Sequence, residues 1–177
     1  MNNETFELFF AMLAVATLVG TLIVLASRTI LRSTGFGTAV IDGFRPFARP
    51  LSAAIATTCM LGSLYFSEIV NYKPCRLCWM QRGAMYPLAV LLVIFTLAKT
   101  RNIGRIVVPI AAIGSCISMY HWLLERFPEN LDSGVCSKDV PCEFVWFEHF
   151  GFVTLPFMAL TGFLAIIVFN TLPSATE

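Results

Sequence analysis

Residues 73–98 read KPCRLCWMQRGAMYPLAVLLVIFTLA, and in them a C-x-x-C motif runs directly into an apolar segment. The apolar part, from Gly83 to Ala98, has 16 residues. A helix needs about 20 apolar residues to cross the hydrocarbon core of a bilayer. The helix must therefore begin earlier, between Cys75 and Arg82, and this places the cysteine motif at the membrane interface.

The rest of the chain is equally apolar, with 57% hydrophobic and 13% charged residues, whereas a soluble domain has about 25% charged residues. Four further apolar segments lack Lys and Arg: Phe6–Ser27, Leu51–Val70, Ile106–Leu124 and Phe150–Leu172. We predict an all-α integral membrane protein with these five helices in one compact bundle. The net charge of +1 and the scattered basic residues argue against a nucleic-acid partner.

The first apolar segment is predicted to be a retained membrane helix. Met1 to Phe6 carry no Lys or Arg, and the apolar stretch is longer than the core of a typical signal peptide. The connector Arg28–Pro50 is rich in Gly, Pro and Arg, so a plain loop is favoured over an interfacial turn around Phe36, Phe44 and Phe47.

The positively charged connectors predict the orientation in the membrane, because short loops rich in Lys and Arg remain in the cytoplasm. Seven basic residues fall on the predicted inner side: Arg28, Arg32, Arg45, Arg49, Lys99, Arg101 and Arg105. Five fall on the outer side: Lys73, Arg76, Arg82, Arg126 and Lys138. We therefore expect the N-terminus outside and the C-terminus inside.

Four of the six cysteines form two pairs, Cys75 with Cys78 and Cys136 with Cys142, in connectors on the same, outer face. Disulfides persist in oxidising compartments outside the cytoplasm, so both pairs can be oxidised there. Cys59 and Cys116 lie in the middle of predicted helices and are interpreted as small hydrophobic residues.

The sequence around the first pair favours a reactive thiol. Pro74 is a helix-start signal that places both sulfurs in the first helical turn, where the helix dipole favours a thiolate. Arg82 lies four residues after Cys78 on the same helical face, so its charge would lower the pKa of that thiol.

Two structural interpretations compete with a redox role. The four cysteines could form a zinc site. However, five residues separate Cys136 from Cys142, whereas about two to four usually separate the paired cysteine ligands of zinc. Alternatively, Cys136 and Cys142 form a purely structural disulfide.

The chain resembles the DsbB-type disulfide bond formation proteins, particularly the short variants called BdbC. The resemblance covers about Leu51 to Leu172 and rests on these motifs: Pro74-Cys75-x-x-Cys78-Trp79-x-Gln81-Arg82, Met85-Tyr86-Pro87, Tyr120-His121 and Pro141-Cys142. It implies a four-helix membrane bundle that oxidises a soluble thioredoxin-fold, DsbA-like partner. In that family the reduced membrane protein is itself reoxidised by a membrane quinone, ubiquinone or menaquinone.

Carried over by position, the resemblance assigns catalytic roles to all four paired cysteines. The partner's cysteine would attack Cys136, and the freed Cys142 would attack Cys75 and release Cys78 as a thiolate beside the quinone. Arg82 matches the family's quinone-contacting arginine, and His121 falls where a quinone-site histidine is expected. No metal is implied, and we expect a monomer in the bacterial inner membrane.

Two departures from the family pattern are evident. Residues 1–50 form an additional helix and basic cytoplasmic connector outside the four-helix region 51–172, and 173–177 form a short tail. The second cysteine pair is also closely spaced, and Phe144, Trp146, Phe147 and Phe150 could form a membrane-dipping stretch after it.

Two other functions remain alternatives to this prediction. A vitamin K epoxide reductase-like protein also couples thiols to a quinone, although the motif of Cys75 to Arg82 is of the DsbB type. A membrane scaffold stapled by disulfides would be non-enzymatic.

Overall fold

The computed structural model of the chain describes residues 3–98, 103–128, 136 and 140–172. The helices in this part of the chain are α1 (Asn3–Thr29), α2 (Gly35–Phe44), α3 (Ala48–Leu64), α4 (Arg76–Leu97), α5 (Gly104–Arg126) and α6 (Leu155–Asn170). A 3-10 turn, Arg45–Phe47, joins α2 to α3, and a π-helical turn, Tyr65–Ile69, extends α3. The described residues contain one isolated β-bridge, between His149 and Val153, and no strand. The all-α prediction is confirmed.

Helices occur at all five segments predicted to span the membrane. α1, α4 and α5 are long and apolar enough to cross a bilayer. α4 begins at Arg76, before the apolar run at Gly83, as the length argument requires. α6 has 16 residues and is shorter than its predicted segment, because a turn at His149–Val153 precedes it and Pro156 occupies its first turn.

Large apolar side chains lie on the outside of these helices. Leu22 and Ile23 of α1, Val90 and Ile94 of α4, and Ile113 of α5 are each about half exposed or more. Apolar surface of this extent is unfavourable in water and matches a lipid environment. The chain is therefore a helical membrane protein.

The prediction of a plain loop between the first two membrane helices is wrong. Thr34 is the N-cap of α2, and its side-chain oxygen accepts a hydrogen bond from the backbone N–H of Gly37 at 3.2 Å. Phe36, Val40 and Phe44 then recur at helical spacing, so the capped segment forms an amphipathic helix despite its glycines.

Small residues allow the helices to approach closely in the core. A side chain at Gly114 of α5 would collide with the ring of Phe163, and one at Gly162 of α6 would collide with Cys59 Sγ of α3. Close approach of helix backbones at glycine is a common basis of packing in membranes, where lipid is as apolar as the core. Leu88 of α4, like Phe163, is fully buried in this core.

The bundle has two distinct ends. At one end, which we call the cysteine end, Glu7 of α1 contacts Tyr72 and His149 from the connectors that follow α3 and precede α6. At the opposite end Arg28 of α1 donates a hydrogen bond to Thr171 at 2.9 Å. The start of α1 therefore lies on the same side as both cysteine pairs, as the predicted alternation of five helices requires. Some predictions fall on residues outside the described part of the chain. They are the basic residues Lys99, Arg101 and Lys138 of the charge argument and the C-terminal tail, 173–177.

Candidate redox site and adjoining cavity

The first cysteine of the C-x-x-C motif caps α4. Cys75 has an extended backbone, and its Sγ accepts a hydrogen bond from the backbone N–H of Cys78 at 3.3 Å. The prediction that Pro74 is the first helical residue is therefore wrong, since the helix begins at Arg76, after a cysteine N-cap. The cap places Cys75 Sγ at the helix N-terminus, where unpaired N–H groups and the helix dipole stabilise negative charge.

The two sulfurs of the motif are almost within bonding distance. Cys75 Sγ and Cys78 Sγ lie 2.9 Å apart, and a disulfide bond is about 2.05 Å long, so only a small side-chain rotation is needed for the two sulfurs to bond when an acceptor takes up two electrons. The pKa of Cys75 is lowered, because a hydrogen bond with Cys78 and a weaker one with His121 stabilise the thiolate against the opposing effect of burial. The sequence argument assigned the stabilised thiolate to Cys78. In the dithiol, the contacts favour Cys75 instead.

His121 of α5 bridges the two cysteine pairs. It is 3% exposed, and its Nε2 lies 3.6 Å from Cys75 Sγ and 3.1 Å from the carbonyl oxygen of Cys142. A carbonyl only accepts hydrogen bonds, so Nε2 carries the ring proton and donates the hydrogen bond to Cys142. Nδ1 is then the acceptor for the amide of Gln81, at 3.3 Å. The imidazole is thus held in one tautomer and lies between Cys75 of the first pair and Cys142 of the second.

The second pair is oxidised in this structure. Cys136 and Cys142 form a disulfide, Cys142 is 1% exposed, and Cys136 is only partly buried. All four sulfurs belong to one packed cluster with Leu77 and Leu124. The loop disulfide therefore already packs beside the Cys75 and Cys78 pair in this structure.

The zinc alternative with four cysteine ligands is wrong for this state, because Cys136 and Cys142 are bonded to each other. A smaller donor set remains: one ligand atom each from Cys75, Cys78 and His121, all within 4.8 Å of one another. We call these three residues the sulfur–imidazole cluster. Thiolate and imidazole are ligands that zinc prefers, and three of them leave one tetrahedral position open.

A cavity of about 500 Å³ lies beside this cluster, between α1, α3, α4 and α6. Cys78, Gln81 and Arg82 line it at the cysteine end. Arg82 donates a hydrogen bond to the carbonyl of Ser63 at 2.9 Å, and its guanidinium lies 5.3 Å from the centre of the Trp79 ring. Arg82 has no carboxylate partner among the described residues, so most of its five N–H donors are available to a ligand.

The two predicted quinone-site residues differ in position. Arg82 lines the cavity, whereas His121 does not and instead contacts Cys75 and Cys142. The geometry favours a role for His121 at the sulfurs, and its contact with a quinone stays a prediction. Cys59 also lines the cavity, and Cys116 is exposed on α5.

An acidic contact at the cysteine end escaped the sequence analysis. Tyr72 donates a hydrogen bond to Glu7 at 2.6 Å, and His149 Nε2 lies 3.7 Å from the other Glu7 oxygen. Burial and this hydrogen bond raise the pKa of Tyr72 to about 12, so the phenol stays protonated. A buried acid in an apolar helix marks a functional or structural contact, and Glu7 could have been singled out on that basis.

The aromatic residues after Cys142 divide into two groups. Trp146 stacks on Tyr72 with ring centres 4.5 Å apart, and Phe147 packs on Phe66 at 5.5 Å. Phe144 and Phe150 are more than half exposed. Residues 140–154 contain no helix, so the exposed rings available for the predicted membrane-dipping stretch lie on a loop.

The fold and the clustered sulfurs define a class, that of a helical membrane thiol-disulfide oxidoreductase. The sequence matches the family described as "Disulfide bond formation protein DsbB" over residues 46–172. The chain therefore belongs to the DsbB family, and the resemblance seen in its motifs is confirmed.

Three relatives illustrate the similarity. "Disulfide bond formation protein C" of Bacillus subtilis is 44% identical over 121 residues, which cover 68% of this chain and 88% of the relative. "Probable disulfide formation protein C 1" of Bacillus anthracis is 46% identical over 108 residues, covering 61% and 78%. "Probable disulfide formation protein C" of Halalkalibacterium halodurans is 43% identical over 117 residues, covering 66% and 85%. No solved structure matches the chain.

Proposed function

We propose that this protein oxidises a soluble, extracytoplasmic thioredoxin-fold partner of the DsbA type and passes the electrons to a membrane quinone. The observation that carries the proposal is the position of the two cysteine pairs. All four sulfurs share one cluster at the end of a membrane bundle, and Cys78 also lines an intramembrane cavity. One pair thus faces a soluble partner and the other a lipid-soluble acceptor.

The first exchange uses the more accessible sulfur of the loop disulfide. A thiolate of the partner attacks Cys136, a mixed disulfide forms, and the Cys136–Cys142 bond breaks with its electron pair on Cys142. Attack at Cys136 is favoured because Cys142 is buried. The partner's second thiolate then resolves the mixed disulfide, which releases the partner oxidised.

The second exchange moves the electrons to α4. The Cys142 thiolate attacks Cys75 of the oxidised Cys75–Cys78 pair, and Cys78 leaves as a thiolate. Cys136 then attacks Cys142, which reforms the loop disulfide and releases Cys75. His121 supports this step because its Nε2–H lies near Cys75 Sγ, where charge appears on release. The net result is a Cys75/Cys78 dithiol.

A cavity of about 500 Å³ with Cys78 and Arg82 at one end supports the binding of a quinone head group. Bound there, ubiquinone or menaquinone would accept two electrons and two protons as Cys75 and Cys78 form a disulfide. Arg82 presents N–H donors at the cavity end beside Cys78, where they can stabilise negative charge on an oxygen atom. The energetics agree, because a thioredoxin-fold oxidant with a reduction potential of about −120 mV requires a still more oxidising acceptor.

The location follows from the same chemistry. Both cysteine loops would face the oxidising side of the bacterial cytoplasmic membrane, with the N-terminus outside and the C-terminus inside. The positive connectors support this orientation, and one bundle supplies every group in the scheme, so a monomer suffices.

The test is steady-state quinone reduction by the purified protein with a reduced thioredoxin-fold partner. Wild type is compared with Cys78→Ser and Cys136→Ser, and Cys116→Ser is the matched control because it removes an exposed cysteine outside both pairs. We expect both pair variants to lose turnover and the control to retain it. Quinone reduction that survives in Cys136→Ser would contradict the two-pair relay. An outer disulfide that never cycles in wild type would favour the stapled scaffold.

A cross-linking experiment tests the order of the relay. Of the four paired cysteines, the double variant Cys78→Ser/Cys136→Ser keeps Cys75 and Cys142, which the scheme joins transiently. Mild oxidation should form a disulfide between them, detected by peptide mapping. Cys75→Ser/Cys136→Ser leaves Cys78 and Cys142 and should cross-link far less; equal yields would refute the assigned order.

A further inference from the structure

The first helix of the chain forms one wall of the cavity beside Cys78. Among the residues of α1 that line the cavity are Phe10, Leu13, Ala14, Thr17 and Gly20. The match to the DsbB family begins at residue 46, so this wall comes from outside the matched region. The cavity is therefore shaped by a part of the chain to which the family assigns no role.

The cavity is elongated along the helices that line it. Phe10 and Gly20 both line it and lie about 15 Å apart along α1, and Leu51 and Ser63 lie about 18 Å apart along α3. Its volume of about 500 Å³ is therefore spread over several helical turns. An extended chain matches this shape.

Polar groups are concentrated at one end of this space. Cys78, Gln81 and Arg82 lie at the cysteine end, whereas Gly20, Phe44 and Phe169 line the other end. The described shape and polarity match an amphiphile with a polar ring and a long apolar tail.

We propose that α1 is the binding surface for the isoprenoid tail of the quinone, and that tail length determines how well a quinone binds. This inference rests on the proposed quinone-dependent function. Ala14, Thr17 and Gly20 carry small side chains or none, which leaves the room that a tail needs. A Cβ atom built at Gly20 meets no atom within 4 Å, so the space beside it is open.

The wall is fixed at both ends of the bundle. Near the cysteine end, Glu7 contacts Tyr72 and His149; at the other end Arg28 bonds to Thr171. α1 also packs against α6 through a cluster that contains Val24 and Ala165. A helix anchored in this way presents a constant surface, which a chain-length preference requires.

Filling the cavity is the informative perturbation. The surrounding lipid is as apolar as the cavity wall. A quinone tail that enters the cavity therefore gains binding free energy from close packing and not from leaving water. Gly20→Phe places a ring in the space of the tail. Val19→Phe adds a ring one residue away, on a side chain that is 49% exposed and does not line the cavity.

The first readout is the ratio of kcat/KM for a tailed quinone to kcat/KM for the same ring without a tail. It is measured with menaquinone against menadione, and with ubiquinone against its tailless benzoquinone ring. We expect this ratio to fall at least about tenfold in Gly20→Phe and to stay at the wild-type value in Val19→Phe. The same ratio in both variants would overturn the inference and leave the proposed function intact. Failure of wild type to reduce any of these quinones would overturn both.

The second readout does not depend on turnover or on a substituted residue. A quinone with a photoreactive group at the end of its tail is irradiated with the wild-type protein in proteoliposomes, and the labelled peptides are mapped. Label on the cavity-lining residues Thr17 or Gly20, located by fragmentation of the labelled peptide and displaced by excess unlabelled tailed quinone, supports the inference. Label confined to lipid-facing residues such as Val19 overturns it.

Discussion

Replacing His121 with Phe should raise the pKa of Cys75. His121 Nε2 lies 3.6 Å from Cys75 Sγ and contributes a hydrogen bond that favours the thiolate. A hydrogen bond to a charged group contributes about 1.5–3 kcal/mol, and about 1.4 kcal/mol corresponds to one pH unit. Because the same N–H also contacts the Cys142 carbonyl at 3.1 Å, the lower end of this range applies, and the midpoint of the Cys75 titration should move upward by about one pH unit.

The assay is the ultraviolet absorbance of the thiolate in the reduced protein, followed from acidic to neutral pH. In wild type the thiolate signal should persist below the pH at which an ordinary cysteine is protonated, because the pKa of Cys75 is lowered. In His121→Phe it should disappear at higher pH, since protonation now competes more strongly. His149→Phe is the matched control, because it removes the chain's other histidine, which contacts Glu7 and not the sulfurs. Identical titrations of His121→Phe and wild type would refute the assigned role of the imidazole.

Three further outcomes are expected. The reduced protein should bind one Zn²⁺ at the sulfur–imidazole cluster and lose quinone reduction until a chelator is added. The oxidised protein should bind no Zn²⁺. Equal Zn²⁺ binding by both forms, measured by calorimetry, would contradict this prediction. Gly114→Ala should lower the free energy of unfolding by about 1–3 kcal/mol, because its methyl group meets a fully buried aromatic ring of α6, while Gly83→Ala, with open space around it, should cost nothing. Tyr72→Phe should lower the same quantity by about 1.5–3 kcal/mol through loss of the hydrogen bond to Glu7, and Tyr65→Phe should have less effect; equal shifts in thermal unfolding would argue against that bond.

The helices of the bundle were predictable because membrane spans obey a length rule. The 16 apolar residues after Arg82 required an earlier helix start, and α4 begins at Arg76. α2 was missed because its glycines and basic flanks are typical of a loop, while a single side-chain cap at Thr34 is enough to start a helix.

The site was predictable in its residues and less so in its geometry. Motif spacing places Cys75, Cys78 and Arg82 on one helix. Spacing cannot show that His121, 46 residues after Cys75, turns its Nε2 toward the sulfurs and away from the cavity. The contact between Glu7 and Tyr72 spans 65 residues and depends on how α1 docks, which no local pattern encodes.

The most direct test of the relay to the quinone needs no partner protein. The fully reduced chain is mixed anaerobically with excess quinone, and quinol is measured together with the state of each cysteine by peptide mapping. The proposed function predicts rapid quinol formation with a disulfide between Cys75 and Cys78 in wild type, and loss of this phase in Cys78→Ser. Quinol formation that is equally fast in Cys78→Ser, or none in wild type, would contradict it.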